Sequence, residues 1–164
     1  MNVILAGMMG SGKTTVSRAL SDKLGLEVVD TDAEIIAKHG RIADIFAKFG
    51  EEHFRDLETQ TVREVCKRDG VIISTGGGCL LRAENRELFK NSGKIIYLRA
   101  RLETLVARVE GDTERPLLQG GARPRLARLI DERAPIYEGA ADLTIDTDDL
   151  TVDEVANKIS ELLK

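Results

Sequence analysis

A glycine-rich segment near the start of the chain has the residue types and the spacing of a phosphate-binding loop. Residues 7–14 read G-M-M-G-S-G-K-T and fit the pattern G-x-x-x-x-G-K-[ST]. Glycines let backbone N–H groups turn towards a polyphosphate, Lys13 can reach its terminal phosphates, and the Thr14 hydroxyl can bind Mg²⁺. An ordinary glycine-rich turn is the alternative, but the apolar run before the loop and the helical pattern after it favour phosphate binding.

Two acids, Asp30 and Asp32, follow the second apolar run. Carboxylates two residues apart on an extended segment face the same way, so one could hold the water shell of Mg²⁺ while the other accepts a proton or a hydrogen bond from a hydroxyl group. The alternative is structural, because Thr31 and Glu34 have the spacing of a capping box at the start of a helix. Both roles are compatible, and the phosphate-binding loop favours a functional one.

An insertion of about residues 31–60 is predicted to bind a substrate. Residues 33–68 are mostly helical in pattern, are interrupted by Gly40 and Gly50, and are too long for one crossover helix. Arg55 lies three residues before Glu58, and this spacing alone favours an exposed ion pair that contributes little to stability. The other interpretation is that Glu58 holds Arg55 so that its guanidinium group meets a carboxylate of a substrate.

Three consecutive glycines, at positions 76–78, follow the third apolar run. Such a triplet costs conformational entropy on folding and is a poor choice for an ordinary turn between a strand and a helix. It suits a place where the backbone approaches a ligand closely and offers N–H groups to it. A flexible connector is the alternative.

A polar segment of about residues 110–124 has the profile of a lid that closes over a nucleotide. It contains three glycines and lies between two helical patterns. Arg115 lies inside it and could reach the phosphates during transfer. Further along, Arg133 could be a cation near the end of a helix, with Pro135 predicted to stop or kink that helix.

Five short apolar runs alternate with amphipathic segments along the chain. The runs are residues 3–6, 27–29, 71–74, 94–98 and 143–145. Strands separated by helices in this way predict an α/β fold with a five-stranded parallel sheet and helices on both faces. Ligands of such sheets bind at the carboxyl ends of the strands, where the candidate residues lie.

Composition narrows the class of protein further. The 164 residues suffice for a single domain, and a net charge of −4, with no Trp and 4% aromatic residues, argues against a nucleic-acid partner. The two cysteines are too few for a disulfide framework or a metal site, which predicts reduced thiols in a cytoplasmic protein. No leader peptide or membrane-spanning run is predicted, and nothing indicates a need for a partner chain, so we expect a monomer.

Taken together, these motifs resemble shikimate kinase, a family of P-loop kinases with the nucleoside monophosphate kinase fold. The resemblance covers the whole chain and rests on six segments in order. They are G-M-M-G-S-G-K-T-T at 7–15, D-T-D at 30–32, F-R-D-L-E at 54–58, G-G-G at 76–78, R-P-L-L at 115–118 and R-A-P-I-Y at 133–137. Each motif is weak alone, but the set in this spacing is specific.

The resemblance implies transfer of the γ-phosphoryl group of ATP to the 3-hydroxyl of shikimate, with Mg²⁺, in aromatic amino acid biosynthesis. The residues that it implies for ATP are Gly10, Ser11, Gly12, Lys13, Thr14, Thr15, Arg108 and Arg115. Those implied for shikimate are Asp32, Arg55, Gly76, Gly77, Gly78 and Arg133. The implied metal residues are Thr14 and Asp30, and the implied catalytic residues are Lys13, Asp32 and Arg115. The resemblance also gives Glu58 the task of orienting Arg55, and it puts the second adenine-side residue near Thr151 or Val152.

Two other functions remain open from the sequence. Another small-molecule kinase of the same fold, for gluconate or a nucleoside monophosphate, is the nearest; a gluconate kinase should lack arginines paired like Arg55 and Arg133. A non-catalytic ATP-binding module is the second, but such a chain should have lost Asp32, Arg55 or Arg115, and it retains all three.

Overall fold

A parallel β-sheet forms the centre of the molecule. The computed structural model describes residues 1–109 and 121–164. Its strands are β1 (Asn2–Ala6), β2 (Val28–Asp30), β3 (Ile72–Ser74), β4 (Gly93–Arg99) and β5 (Leu143–Asp146). All pairings are parallel, and the order across the sheet is β2-β3-β1-β4-β5. The predicted five-stranded parallel sheet is therefore confirmed, and all five strands end at one edge.

Helices cover both faces of this sheet. They are α1 (Lys13–Leu24), α2 (Thr31–His39), α3 (Ile42–Val65), α4 (Ala83–Ser92), α5 (Leu102–Val109), α6 (Ala122–Ala140) and α7 (Val152–Leu162). Because successive side chains of a strand point to opposite faces, Ile4 of β1 packs in an apolar layer with residues of α3 to α6, whereas Leu5 packs in the layer with α1 and α7. This two-sided core fixes the strand ends that carry the candidate residues.

The predicted insertion is a pair of helices, α2 and α3, with a small apolar core of their own. Ile35, Ile45 and Phe54 are buried in that core. Gly40, with a φ angle of 88°, follows α2, and Gly50, with a φ angle of 86°, interrupts α3. The interruptions predicted at these two glycines are therefore present.

Helix α6 does not end at Pro135. The helix continues through the proline to Ala140, so the prediction of a helix stop there is wrong. A proline removes one backbone N–H donor, but burial of Tyr137 and Ala140 in the core holds the last turn in place. As a result, one continuous helix carries both Arg133 and Tyr137.

Within the described ranges, no helix has the length and apolar character needed to cross a bilayer. Cys66 and Cys79 are both free thiols, as predicted, and Cys79 is fully buried. His39 and His53 are both exposed.

Candidate active site

The predicted phosphate-binding loop connects β1 to α1, and the backbone of Leu98 in β4 packs closely against its first glycine. A side chain at Gly7 would place its Cβ atom 2.6 Å from the Leu98 carbonyl oxygen, and the φ angle of 152° at this residue also suits only glycine. The N-terminus of α1 begins directly after Gly12, and its first turn contains no acidic residue. The positive end of the helix dipole therefore faces the loop without a competing charge in that turn.

Polar side chains lie at the phosphate-binding loop and the first turn of α1. Lys13 donates hydrogen bonds to the carbonyl groups of Gly7 and Met8, which holds its ammonium group over the loop. The Thr15 hydroxyl donates to the Gly12 carbonyl at 3.1 Å, and Thr14 is exposed at the first turn of α1. These positions are suitable for contacts to phosphate groups.

A cavity of about 160 Å³ lies beside the loop and fits the expected adenine side. It is lined by Ser11, Gly12, Thr15, Val16, Arg108, Thr147, Leu150, Val152 and Val155. Arg108 comes from α5 and donates a hydrogen bond to the Gly10 carbonyl at 2.9 Å. The structure thus brings Arg108 and Val152, two residues far apart in sequence, to one cavity at the phosphate-binding loop.

The glycine triplet follows β3 at the same edge of the sheet, and charged groups occupy the space that side chains would fill. A Cβ atom at Gly76 would lie 2.6 Å from Oδ1 of Asp32, and one at Gly78 would lie 2.6 Å from Nη2 of Arg55. A Cβ atom at Gly77 would lie 3.1 Å from Nη1 of Arg133. Gly76 and Gly78 are therefore needed for the close approach of Asp32 and Arg55, and Gly77 leaves little room for a side chain beside Arg133.

The three charged side chains come from three different helices, α2, α3 and α6, and meet at this triplet. One is an acid and two are guanidinium groups. Arg133 is 6% exposed and lies before the last turn of α6, which continues to Ala140, so the alternative interpretation of a cation near the end of a helix is wrong. The arrangement can bind a small molecule that carries both hydroxyl groups and a carboxylate.

The ion pair of Arg55 and Glu58 is buried, so its interpretation as an exposed pair is wrong. Nη1 of Arg55 lies 2.9 Å from Oε1 of Glu58, and the two side chains are 12% and 2% exposed. Burial raises the pKa of the Glu58 carboxyl group, and the charge of Arg55 only partly opposes this rise. For Arg55, burial alone would lower the pKa, but attraction to Glu58 and Glu51 leaves it above its ordinary value.

The raised pKa of Glu58 predicts a specific pH dependence of stability. Between the ordinary pKa of 4.5 and its raised value, the folded protein keeps a proton that the unfolded chain has lost. The free energy of unfolding of the native protein should therefore fall relative to that of E58Q as pH rises through this window. Urea unfolding of both proteins at several pH values measures the difference. A relative gain by the native protein would mean that attraction to Arg55 outweighs the cost of burial.

The start of α2 differs from the predicted capping box. The Asp30 side chain caps the helix, accepting a hydrogen bond from the Ala33 N–H at 3.0 Å. The Thr31 hydroxyl instead accepts a hydrogen bond from the Gly76 N–H at 3.0 Å, so this N–H is not among those that the triplet could offer to a ligand. Asp30 therefore has a structural role, and Thr31 connects α2 to the triplet.

The lid prediction falls largely outside the described residues. The segment was expected at about residues 110–124, and its central residue, Arg115, lies in the range that the structure does not describe. At the far end of the segment, Arg123 is exposed and forms an ion pair with Glu103 at 3.1 Å. Arg115 thus remains a prediction from sequence.

Comparison with known proteins bears directly on this arrangement. A family model described as shikimate kinase matches residues 9–164. A shikimate kinase from Caldicellulosiruptor bescii is 42% identical over 160 residues, which cover 96% of this chain and 92% of the relative. The chain belongs to the shikimate kinase family.

Solved structures of the shikimate kinase family have the same fold. A shikimate kinase from Acinetobacter baumannii, solved in complex with shikimate, superposes with a TM-score of 0.94 at 40% identity and covers 99% of this chain and 92% of that one. A shikimate kinase from Aquifex aeolicus gives a TM-score of 0.86 at 33% identity, covering 99% and 96%. The predicted P-loop kinase fold is confirmed, and the protein is a kinase.

Two contacts in this shikimate kinase site were not predicted from sequence. Tyr137 is buried and donates a hydrogen bond from its hydroxyl to the Gly77 carbonyl. Its signal was its position one helical turn after Arg133, on the same side of α6. The contact of Thr31 with the triplet had no local signal, because Gly76 lies 45 residues away.

Proposed function

We propose that this protein transfers the γ-phosphoryl group of ATP to the 3-hydroxyl of shikimate, giving shikimate 3-phosphate and ADP. The observation that carries the proposal is the meeting of Asp32, Arg55 and Arg133 at the glycine triplet. Shikimate is a small ring with one carboxylate and several hydroxyl groups, so it needs basic groups on one side and an acid on the other. The complex of the Acinetobacter baumannii relative with shikimate supports the same assignment.

Shikimate binding is assigned to residues around the triplet. Arg55 and Arg133 pair with the carboxylate, since guanidinium groups match carboxylates in charge and geometry. Glu58 orients Arg55 through their buried ion pair, and it offsets part of the local positive charge. The substrate ring lies against Gly76, Gly77 and Gly78.

Asp32 faces the acceptor hydroxyl in this proposal. Its carboxylate accepts a hydrogen bond from the 3-hydroxyl and so aims a lone pair of that oxygen at the γ-phosphorus. As the oxygen–phosphorus bond forms and the bond to the β-phosphate oxygen breaks, the hydroxyl proton must leave, and Asp32 is its nearest acceptor by this assignment. The same hydrogen bond from the 3-hydroxyl to Asp32 is required whether the carboxylate takes the proton or only positions the hydroxyl.

Nucleotide binding is assigned to the loop and to α5. Backbone N–H groups and side chains of Gly10, Ser11, Gly12, Lys13, Thr14 and Thr15 hold the phosphates, and the N-terminus of α1 adds its dipole. Arg108, which lines the same cavity as Val152, is assigned to adenine. From the sequence, Arg115 is assigned to the phosphates undergoing transfer.

The donor set fits Mg²⁺. The Thr14 hydroxyl is a hard oxygen ligand and the Asp30 carboxylate can hold the water shell of the ion, while no cluster of three or more acidic, His or Cys side chains suited to a metal occurs in the described parts of the chain. Mg²⁺ commonly binds nucleotide phosphates with few protein ligands and several waters, so a sparse set is appropriate. When bound, the ion would neutralise negative charge on the phosphates during transfer.

Turnover assays with three acceptors test the function. ADP release is measured with ATP and shikimate, gluconate or AMP, and the phosphorylated product is identified by ³¹P NMR. We expect turnover only when shikimate is the acceptor, and we expect the product to carry a phosphate ester at the 3-hydroxyl. Turnover only with AMP or gluconate would favour another small-molecule kinase of this fold and would exclude our assignment.

We also propose that the enzyme acts as a monomer in the cytoplasm. The site is assembled from helices of one chain, and the free thiols fit a reducing compartment. Light scattering of the purified protein is expected to give the mass of one chain, 18.0 kDa. A mass of two chains at assay concentration would contradict the monomer.

A further inference from the structure

Tyr137 forms a contact that the proposed reaction does not use. Its ring is 2% exposed and packs against Tyr97 with ring centroids 5.1 Å apart. Its hydroxyl donates a hydrogen bond to the carbonyl of Gly77, the central residue of the triplet. Of the two tyrosines in the chain, this one reaches the site.

The same point of the triplet meets Arg133. A Cβ atom at Gly77 would lie 3.1 Å from Nη1 of this arginine, so the guanidinium group packs directly over the glycine backbone. Arg133 and Tyr137 are four residues apart on α6, which places them one helical turn apart on the same side. The glycine, the arginine and the phenol therefore form one contact group between the triplet and α6.

The phenol is suited to be a permanent donor. Burial raises the pKa of Tyr137 to about 12, and the nearby Arg133 charge opposes this rise only in part. The hydroxyl thus keeps its proton throughout the pH range of an ordinary assay. A neutral donor also adds no charge that would compete with a carboxylate for Arg133.

We propose that Tyr137 is a positioning residue that sets the distance between the glycine triplet and Arg133, and so prepares this arginine for the carboxylate of the substrate. The inference rests on the proposed binding of shikimate by Arg133. Tyr137 touches neither the reacting atoms nor the nucleotide loop in this assignment. Its removal should therefore weaken binding of the acid substrate and leave phosphoryl transfer intact.

The Y137F variant, which removes one oxygen atom, tests the proposal. We expect the KM for shikimate to rise about 3- to 10-fold, the effect of losing one ordinary hydrogen bond, with kcat and the KM for ATP little changed. Y97F is the matched control, because the two rings pack together and no hydrogen bond of the Tyr97 hydroxyl is present among the described residues. All its kinetic constants should match those of the native enzyme.

A double-mutant cycle separates positioning from general support of the fold. If Tyr137 acts through Arg133, adding Y137F to R133A should change the KM for shikimate little further. Fully additive losses, or a KM for ATP that rises in parallel with the KM for shikimate, would overturn the proposal. An unchanged shikimate KM in Y137F would do the same while leaving the proposed function intact, whereas a native enzyme inactive on shikimate would refute that function itself.

If Y137F is too unstable to assay, a fluorine label at residue 137 provides a second test of the proposal. Incorporating 3-fluorotyrosine into Y97F leaves a single fluorine label, at residue 137. Its ¹⁹F resonance is expected to move when shikimate is added and to move much less with the methyl ester, which lacks the charge that Arg133 would bind. Equal shifts with both compounds, or no shift at saturating shikimate, would contradict the proposal.

Discussion

The K13A variant is expected to lose about 100- to 1000-fold in kcat while its binding of shikimate stays nearly intact. Lys13 is held over the phosphate-binding loop by the carbonyl groups of Gly7 and Met8. A cation at this position would stabilise charge on the phosphates as the terminal group is transferred, and removing one such group typically costs this much. Steady-state kinetics gives kcat, and calorimetric titration gives the affinity for shikimate.

Lys23 provides a matched control for this experiment. It lies on the same helix, in the last turn of α1, and is exposed. K23A should have native kinetics and similar stability. If K13A retained more than about a tenth of the native kcat, the assignment of Lys13 to the transferred phosphate would fail.

The R55A variant is expected to raise the KM for shikimate about 10- to 150-fold, with a much smaller effect on the KM for ATP. Arg55 meets the glycine triplet at Gly78, and a charge-assisted hydrogen bond to a carboxylate contributes about 1.5–3 kcal/mol. The substitution also leaves Glu58 buried without its close partner, so we expect a lower melting temperature as well. Kinetics at varied shikimate and at varied ATP distinguishes the two effects on KM.

Arg63 is the control for R55A because it lies on the same helix, α3, in an exposed ion pair with Glu84. R63A makes the same chemical change away from the site and should keep a native KM for both substrates. If R55A instead raised only the KM for ATP, the carboxylate assignment would be wrong. A saturating shikimate concentration should restore much of the R55A rate, since the lost contact serves binding.

Much of the fold followed from local sequence pattern. The five apolar runs predicted the parallel sheet, and the spacing of Gly7, Lys13 and Thr14 predicted a phosphate loop between a strand and a helix. These features depend on residues close in sequence, whose periodicity and backbone preferences are readable without tertiary information. The strand ends then brought Asp32 and the glycine triplet to one edge, as a parallel sheet requires.

The environment of individual side chains was less predictable. The spacing of Arg55 and Glu58 describes a helical pair, but it does not reveal that other elements bury it. The cap of α2 is Asp30 rather than the predicted Thr31, because the threonine hydroxyl has a partner, Gly76, that is distant in sequence. The stop predicted as one of two roles for Pro135 does not occur for the same reason, since packing of the residues after it keeps α6 helical.

The strand order also sets the spacing between two parts of the site. Strand β3 lies between β1, which carries the phosphate loop, and β2, which precedes Asp32. Neighbouring strands are about 4.8 Å apart, so the carboxyl ends of β1 and β2 lie roughly 10 Å from each other across the sheet. Asp32 extends over part of this interval, because its carboxylate lies against Gly76, which follows the strand between them. The spacing between the phosphate-binding loop and the segment that carries Asp32 is therefore set by chain topology rather than by any one side chain.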